Sequence, residues 1–406
     1  MSADFEKEAD RDPMCSRSLQ IFAKSGLRNL IMFSLLCISI LLLACDAANP
    51  RCRDENNKIV DWYVLYKLPK IAESKNPVIK SGLGYLYITN NTVNKSWQLS
   101  KKKISAKNST PGNTLAPLYD DSVASKNLWG MYNDDPPNRP TSAKYGHAKG
   151  VVFVNKQQGF WLIHSVPNYP PVPNSGNDTR RGHVEENSDI PESQSEYDYP
   201  TSGMNYGQSF LCISVDSDQF DKIGKQLMYN QVVLYRNNIP SFAKNYRVLS
   251  DAVRQKRIRK PPYTSRALLK SSGGIEFVSF AKSDKWKNEL YDEFVAPMLK
   301  SNLYTETWLN GRGRLPSDCA QVKVLNIESI HLNTSDDSIN FTSSRDHSKW
   351  AVAIEGKINR TWVCVGDINR ADTQYVRGGG TVCFNNKKVW NNYLKAVNQV
   401  ESCSKS

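Results

Sequence analysis

Hydrophobic residues in this chain fall mostly into short runs that are separated by Gly, Pro, Asn and Ser. The runs are rich in β-branched and aromatic side chains, which favour strands over helices. Strands are therefore predicted at residues 60–66, 150–154, 160–163, 210–215, 322–327, 350–354 and 362–365.

Three other segments repeat apolar residues at helical spacing. Residues 217–228 begin with a serine that can cap a helix, and residues 283–300 carry Trp286, Leu290 and Phe294. Residues 386–400 place their apolar side chains on one face. Because strands and helices alternate along the chain, the pattern predicts an α/β or α+β fold with mixed sheets and packed helices.

The chain also contains an internal repeat. The repeated unit consists of a His-x-Lys motif, an apolar strand, a second strand and an asparagine. Its first copy is marked by His147, Lys149 and Asn168, and its second copy by His347, Lys349 and Asn369. The histidine and the asparagine are 21 residues apart in the first copy and 22 in the second. We therefore expect two similar halves, residues 49–240 and 241–406, that meet around a pseudo-twofold axis.

The repeated motif indicates phosphodiester chemistry. Residues i and i+2 of a strand share a face, so the histidine and lysine of each copy would point together. Twofold packing would then place two imidazoles and two ammonium groups in one cleft, with Asn168 and Asn369 adding amide donors. Lysines offset the charge that develops on phosphorus oxygens. One imidazole would attack phosphorus while the other protonates the leaving oxygen.

The remaining histidines do not belong to the repeated motif. His164 ends the strand that leads to Asn168, and we interpret it as a structural histidine, the alternative being a supporting or phosphate-binding role. His183 lies in an acidic loop and His331 in a stretch rich in glycosylation sites. Both are interpreted as surface residues.

The start of the chain resembles a signal peptide. Residues 30–44 are apolar except for two serines, which is short for a membrane span but suits the core of a secretion signal. Residues 1–48 are therefore predicted to be an N-terminal extension and signal peptide, with cleavage near Ala47. Initiation at Met14 and an uncleaved anchor are the alternatives. We expect no stable membrane insertion after the signal is removed.

Cysteines and glycosylation sites agree with secretion. An even number of cysteines follows the signal, which indicates three disulfides with fifteen possible pairings. These cysteines are Cys52, Cys212, Cys319, Cys364, Cys383 and Cys403. No CxxC motif occurs, so no zinc site is expected. The candidate N-glycosylation sites are Asn90, Asn94, Asn108, Asn177, Asn333, Asn340 and Asn359.

The charge of the chain favours an anionic partner. The formal net charge is +13, and removal of residues 1–48 leaves +14. A basic secreted protein attracts DNA through the release of counterions, although adaptation to an acidic compartment or an anionic surface is an alternative. Residues 174–202 read as an acidic surface loop. Residues 254–262 form a basic run that would be a solvated loop, a contact for polyanions or a site for a processing protease.

Several stretches of the chain resemble the deoxyribonuclease II family. The matching stretches are residues 60–69, 132–137, 146–150, 159–168, 206–208, 346–350, 364–370 and 377–381. They extend over essentially the whole chain after the signal, and the loop at residues 174–202 is longer and more acidic than the family leads us to expect.

The resemblance implies a phospholipase D-like fold, in which two αβ halves share one active site. It also implies hydrolysis of double-stranded DNA at acidic pH without a metal or other cofactor. The products would be 3′-phosphate ends formed through a phosphohistidine, with His347 as the usual catalytic residue. The implied disulfides are Cys52–Cys212, Cys319–Cys403 and Cys364–Cys383. The implied location is the lysosome or the extracellular space, and the expected form is a monomer or a homodimer.

Two other functions compete with this interpretation. The first is a phospholipase D-like lipid phosphodiesterase, but no amphipathic lipid-binding helix is evident. The phospholipase D pattern also has an Asp after its motif, where this chain has Val154 and Ile354. The second is an inactive secreted glycoprotein that binds polyanions, and the two intact His-x-Lys motifs argue against it.

Overall fold

Two β-sheets form the framework of the protein in the computed structural model, which describes residues 49–178, 196–334, 337–355 and 360–403. The signal-peptide prediction, His183 and Asn359 lie outside these residues. The strands of the first sheet are β1 (Trp62–Lys67), β2 (Tyr85–Thr89), β3 (Gln98–Leu99), β4 (Leu128–Tyr132), β5 (Gly150–Val154), β6 (Gln158–His164), β7 (Asn177–Asp178), β8 (Gln208–Asp216) and β9 (Leu234–Asn238).

The second sheet follows the first along the chain. Its strands are β10 (Thr264–Lys270), β11 (Glu276–Lys282), β12 (Leu303–Glu306), β13 (Val324–Asn333), β14 (Ser338–Thr342), β15 (Trp350–Ala353), β16 (Trp362–Gly366), β17 (Gly379–Asn385) and β18 (Val397–Val400). The α-helices are α1 (Pro77–Lys80), α2 (Thr110–Leu115), α3 (Asp121–Ala124), α4 (Phe220–Asn230), α5 (Arg247–Val253), α6 (Ala296–Leu299) and α7 (Lys387–Ala396).

The two sheets share one strand order. The first contains the sequence β1-β8-β6-β5-β4, and the second contains β11-β17-β16-β15-β12. In both, neighbouring strands of this set are antiparallel. The second sheet is mixed because β12 and β13 are parallel. Each His-x-Lys motif directly precedes the first strand of a hairpin, which is β5 in the first sheet and β15 in the second. The repeat in the sequence suggested this position. The division at residue 240 stays a prediction, and it falls between β9 and β10.

The central strands of each sheet are mostly apolar because both of their faces are covered. All residues of β1 and β5 are buried. One face of each sheet packs on the other sheet around a shared core, in which the Trp62 and Phe384 ring centroids lie 5.3 Å apart. Smaller apolar clusters cover the outer faces. This packing brings the loops that precede β5 and β15 to the same region of the protein.

The predicted helices are confirmed only in part. Helix α4 confirms most of the segment predicted at residues 217–228, but Ser217 belongs to a short 3-10 turn, Ser217–Gln219, and does not cap the helix. The prediction for residues 283–289 was wrong, since helical structure begins with a π-helix at Tyr291–Val295. Lys287 has a left-handed φ of 61°, which interrupts a helix, and the Glu289 carboxylate accepts the first helical N–H groups. Helix α7 ends at Ala396 because the next residues pair with β13 as β18.

Three disulfides link distant parts of the chain. Cys52–Cys212 and Cys319–Cys403 have Cα–Cα distances of 6.0 Å, and Cys364–Cys383 joins directly paired residues of β16 and β17. These are the pairs that the family resemblance implied.

The glycosylation candidates differ in exposure. Asn90 is half-buried, and its Oδ1 accepts a 2.9 Å hydrogen bond from the Asp61 backbone N–H. The exposed candidates are Asn94, Asn108, Asn177, Asn333 and Asn340. Within the described ranges, no helix combines the length and the apolar character needed to cross a membrane.

Candidate active site

The first motif lies where the chain enters β5, against loops from the other half. The backbone N–H of His147 donates to the carbonyl oxygen of Gly378 at 2.9 Å. Its Nδ1 contacts the carbonyl oxygen of Asp367. A carbonyl can only accept a hydrogen bond, so Nδ1 carries a proton and Nε2 faces the site. A side chain on Gly146 would lie 1.8 Å from the Asn230 carbonyl oxygen, so this tight turn requires glycine.

A single carboxylate organises the cations around the first motif. The Asp134 carboxylate pairs with the Lys149 ammonium through Oδ1 and with the Arg377 guanidinium through Oδ2, the latter at 3.1 Å. His147 Nε2 lies 3.9 Å from Asp134 Oδ2. Burial raises the pKa of Asp134, but the neighbouring positive charges outweigh it and hold the pKa well below its usual range. Sequence reasoning missed Asp134 as a site residue, although it lies in one of the family-like stretches.

The second motif is held by aromatic rings. The His347 backbone N–H donates to the Gly207 carbonyl oxygen at 2.9 Å. Its imidazole stacks on the Tyr206 ring at 4.1 Å between centroids with an interplanar angle of 7°. The Trp308 ring contacts the imidazole edge-on at 3.8 Å. Within the part of the chain that the structure describes, the buried Nε2 of His347 has no hydrogen-bond partner. The ring is thus positioned by packing, which leaves Nε2 available for chemistry.

Buried polar groups fix the loops on both sides of His347. The Lys67 ammonium donates to three backbone carbonyls, those of Gly203 and Met204 at 2.6 Å and that of Tyr206 at 2.8 Å. This cation therefore holds the loop that supplies the stacking ring. The carboxylate of Asp346 accepts hydrogen bonds from the Tyr66 hydroxyl and from the backbone and side chain of Ser348. Neither Lys67 nor Asp346 was identified as a supporting residue from the sequence.

Lys349 is a buried cation next to His347. Its ammonium donates to the His347 carbonyl oxygen, and its backbone N–H donates to Ser209 Oγ at 3.0 Å. Burial, followed by the positive charge of Lys149, lowers the pKa of Lys349 to about 7. Lys349 is therefore fully charged only in acid.

The structure brings both motifs into one site. Burial, and then the positive charges of Lys349 and Lys149, lower the pKa of His347 to about 2. Burial also lowers the pKa of His147 well below its usual value, but Asp134 acts in the opposite direction. The charged groups of each motif therefore shift the pKa of the histidine in the other motif. The two imidazoles differ because Asp134 raises the pKa of His147, whereas the groups that most affect His347 all lower its pKa.

Asp367 is another buried acid at the junction of the two halves. Burial raises its pKa to about 7, while the Gly380 N–H, which donates to Oδ1 at 3.1 Å, lowers it. Its backbone carbonyl orients His147, as described above. Sequence reasoning did not single out this residue.

The other candidates contribute less. The Asn168 amide nitrogen donates to the Asp135 backbone and side-chain oxygens at 3.3 Å each, so its hydrogen atoms are already engaged. Asn369 is half-buried, and its Oδ1 has no partner among the described residues. His164 is fully buried between aromatic rings, which supports a structural role. His331 is half-buried on β13, where it bonds Asn333 and Ser338.

Known proteins with similar sequences cover nearly the whole chain. The model of the family described as Deoxyribonuclease II matches residues 51–403. Plancitoxin-1 from Acanthaster planci is 35% identical over 382 residues, which are 93% of this chain and 99% of that protein. Human deoxyribonuclease-2-beta is 35% identical over 372 residues, 88% of this chain and 92% of the relative. Cell death-related nuclease 6 from Caenorhabditis elegans is 33% identical over 384 residues, 92% and 95% of the respective chains.

Proposed function

The chain belongs to the deoxyribonuclease II family and is a deoxyribonuclease, and from this we propose that it hydrolyses double-stranded DNA endonucleolytically in acid, without a metal ion. The proposed products are 3′-phosphate and 5′-hydroxyl ends. The single observation that best supports the proposal is the meeting of two His-x-Lys motifs in one cationic site. The family favours this function over a lipid phosphodiesterase or an inactive glycoprotein.

The first proposed step forms a covalent intermediate. Nε2 of His347 attacks the phosphorus atom, and the bond between phosphorus and the 5′ oxygen breaks. His147 gives a proton to that oxygen, which leaves as the 5′-hydroxyl. In the second step, His147 takes a proton from water while the water oxygen attacks phosphorus. The bond from phosphorus to His347 then breaks and the 3′-phosphate is released.

The environments of the two imidazoles support this division of roles. The groups that most affect His347 lower its pKa, so it stays neutral and retains the lone pair that attack requires. His147 has Asp134 beside it, which favours the protonated form that a general acid needs. The Asp367 carbonyl orients the ring through Nδ1. Asp134 thus favours protonation of His147 over that of His347, although burial keeps the pKa of His147 below its usual value.

The lysines supply the charge that the transition state requires. Lys149 and Lys349 flank the imidazoles and would face the non-bridging oxygens of the phosphodiester. Because the pKa of Lys349 is lowered to about 7, this lysine carries its full charge only in acid. The acid preference in the proposal thus follows from Lys349 as well as from His147.

Cleavage of plasmid by the purified protein at pH 5 in excess chelator tests the proposal. We expect degradation to continue, and the fragments to require a phosphatase before their 3′ ends can be extended. A covalent adduct trapped by alkaline denaturation should map to the peptide that contains His347. A requirement for magnesium, or 5′-phosphate ends, would refute the mechanism.

The destination of the protein is also part of the proposal. We infer passage through the secretory pathway to the lysosome or the cell exterior, where the three disulfides would persist. The exposed sequons, such as Asn94 and Asn108, are the proposed glycan carriers. Gel shifts after treatment with an N-glycosidase would detect them.

A further inference from the structure

A basic groove lies next to the first motif. It encloses about 670 Å³. Its wall includes the side chains of Arg139, Lys144, Tyr145, Arg257, Arg259 and Lys285. One acidic side chain, Asp284, also reaches the groove, but its Oδ1 accepts a 2.8 Å hydrogen bond from the Gln231 amide. The groove is therefore strongly cationic. Two of its arginines come from the basic run at residues 254–260, which the catalytic mechanism leaves without a role.

The basic run is folded onto the protein. The Lys256 backbone N–H donates to the Asp251 carbonyl oxygen at 2.9 Å, which ties the run to α5. The Ile258 N–H donates to the Met228 carbonyl oxygen at 3.3 Å, which ties it to α4. The Arg257 guanidinium carbon lies 3.4 Å from the centre of the Tyr145 ring. The arginine is thus held over one wall of the groove by stacking.

Arg257 has the properties of an anion-binding side chain. In the described ranges it forms no ion pair, and its buried Nε has no hydrogen-bond partner. Stacking on a ring restrains a guanidinium while its N–H edges stay available to a phosphate. Its neighbour Lys256 is different, because that ammonium pairs with the Asp251 carboxylate at 2.8 Å. The two adjacent cations therefore make a matched pair for an experiment.

The groove lies close to the first motif of the active site. Tyr145 and His147 are two residues apart, so their Cα atoms lie at most about 7 Å from each other. The Arg377 guanidinium donates to the Tyr145 carbonyl oxygen at 2.9 Å and also pairs with Asp134. A DNA strand carries one phosphate per ~3.4 Å of helix axis. A strand whose phosphodiester lies at the two histidines therefore has its neighbouring phosphates within reach of the groove.

We propose that this groove binds the backbone phosphates that flank the cleaved phosphodiester, with Arg257 as the principal contact. The inference rests on the proposed function, because it takes DNA as the polymer in the active site. The groove binds substrate and transition state equally, since it does not touch the reacting atoms. Loss of such a contact raises KM and leaves kcat unchanged. It also lowers the dependence of DNA affinity on salt.

Paired variants test the groove. R257A should raise KM for plasmid about tenfold, as expected for one lost charge-assisted hydrogen bond, with kcat unchanged. K256A, which removes the same charge one residue away, should leave both parameters unchanged. R259A gives a second test in case R257A folds poorly, and it should raise KM as well.

Binding to a duplex oligonucleotide separates the groove from the chemistry. In an H347A background, R257A should weaken binding and reduce the slope of log affinity against log salt by about 0.9, while K256A should not. If both R257A and R259A kept the wild-type KM for plasmid and the wild-type salt dependence of DNA affinity, the proposed role of the groove would be overturned, even if the wild type cleaves as proposed. The proposal would also be overturned if K256A lost as much DNA affinity as R257A. It would likewise be overturned if R257A weakened binding to heparin while its KM for plasmid stayed unchanged. A wild type that binds DNA through Arg257 but fails to cleave it in chelator would instead refute the proposed function.

Discussion

The backbone N–H of His347 donates a 2.9 Å hydrogen bond to the carbonyl oxygen of Gly207, which belongs to the other half of the protein. The first motif repeats the arrangement, because the His147 N–H donates to the Gly378 carbonyl oxygen at 2.9 Å. Gly207 directly precedes β8, and Gly378 directly precedes β17, which occupy equivalent positions in the two sheets. The backbone of each histidine is therefore anchored to the half that does not contain it. The site depends on the packing of both sheets.

Substitution of either histidine should remove nearly all activity. We expect H347A and H147A each to lower kcat by at least about 10²-fold, because the nucleophile and the acid act together. Plasmid nicking at pH 5 measures the loss, and thermal unfolding confirms that the variants fold. H331A is the matched control, since His331 lies on β13 outside the site, and it should retain full activity. More than about a tenth of wild-type activity in either motif variant would contradict the two-histidine mechanism.

Loss of the Asp134 carboxylate should lower the stability of the protein. D134N leaves Lys149 and Arg377 buried without their shared partner, which we expect to cost about 3 kcal/mol in the free energy of unfolding. The folded pKa of Asp134 lies below its unfolded value, so the carboxylate stabilises the protein above about pH 4. That contribution disappears as the pH falls through the lowered pKa.

Urea unfolding of D134N and wild type at pH 6 and at pH 2 checks this prediction. D135N is the control, because the Asp135 carboxylate pairs with Thr141 and Asn168 and contacts neither of the buried cations. A destabilisation of D134N that is no larger than that of D135N at pH 6 would contradict the role of Asp134.

The sequence alone identified the parts of the site that lie in contiguous stretches of the chain. The two His-x-Lys motifs and their strands were visible because each motif and the apolar run after it are repeated along the chain. The prediction that each motif itself lies on a strand was wrong, since residues 147–149 and 347–349 directly precede β5 and β15. Tyr206, Trp308 and Arg377 were not visible as partners of the histidines, because they approach from distant parts of the chain. The first part of the helix predicted at residues 283–300, residues 283–289, is not helical for a related reason. Local periodicity favoured it, but Lys287 adopts a left-handed conformation there.

The ring of Tyr206 should act by positioning His347. Y206A removes the stacked ring, so we expect kcat to fall about tenfold or more while KM for plasmid changes little, since misplaced reacting groups are costly. Y206F keeps the ring and should restore kcat. Steady-state kinetics at pH 5 measure both parameters. Failure of Y206F to restore activity would show that the hydroxyl, and not the stacking, matters.

The long-range disulfide should stabilise the protein more than the short-range one. Cys52–Cys212 spans 160 residues and Cys364–Cys383 spans 19. Loop-closure entropy gives contributions of about 5 and about 3 kcal/mol, respectively. The double variants C52S/C212S and C364S/C383S should therefore differ in urea midpoint in that order. The opposite order, or free thiols in the native protein, would contradict this account.

The pH dependence of cleavage provides the most direct test of the electrostatics. His147, the proposed general acid, must be protonated, and burial lowers its pKa, so activity should fall as the pH rises above that lowered value. Lys349 loses its charge above about pH 7, which further reduces the stabilisation of the transition state. His347, the proposed nucleophile, resists protonation until about pH 2, because burial and the lysines keep it neutral. Bound phosphate raises both imidazole pKa values. These opposing effects give a bell-shaped profile for kcat/KM with a maximum on the order of pH 5.

Plasmid cleavage between pH 3.5 and 8.5 at fixed ionic strength tests this profile, since DNA affinity itself varies steeply with salt. K349R separates the two causes of the alkaline decline, because arginine stays charged throughout this range. If His147 sets the decline, K349R keeps the wild-type midpoint on the alkaline side, whatever its absolute rate. If deprotonation of Lys349 sets it, the midpoint moves upward in K349R. A maximum above pH 7.5 that requires added magnesium would show that the chemistry depends on a metal, and that the two imidazoles are not the nucleophile and the acid.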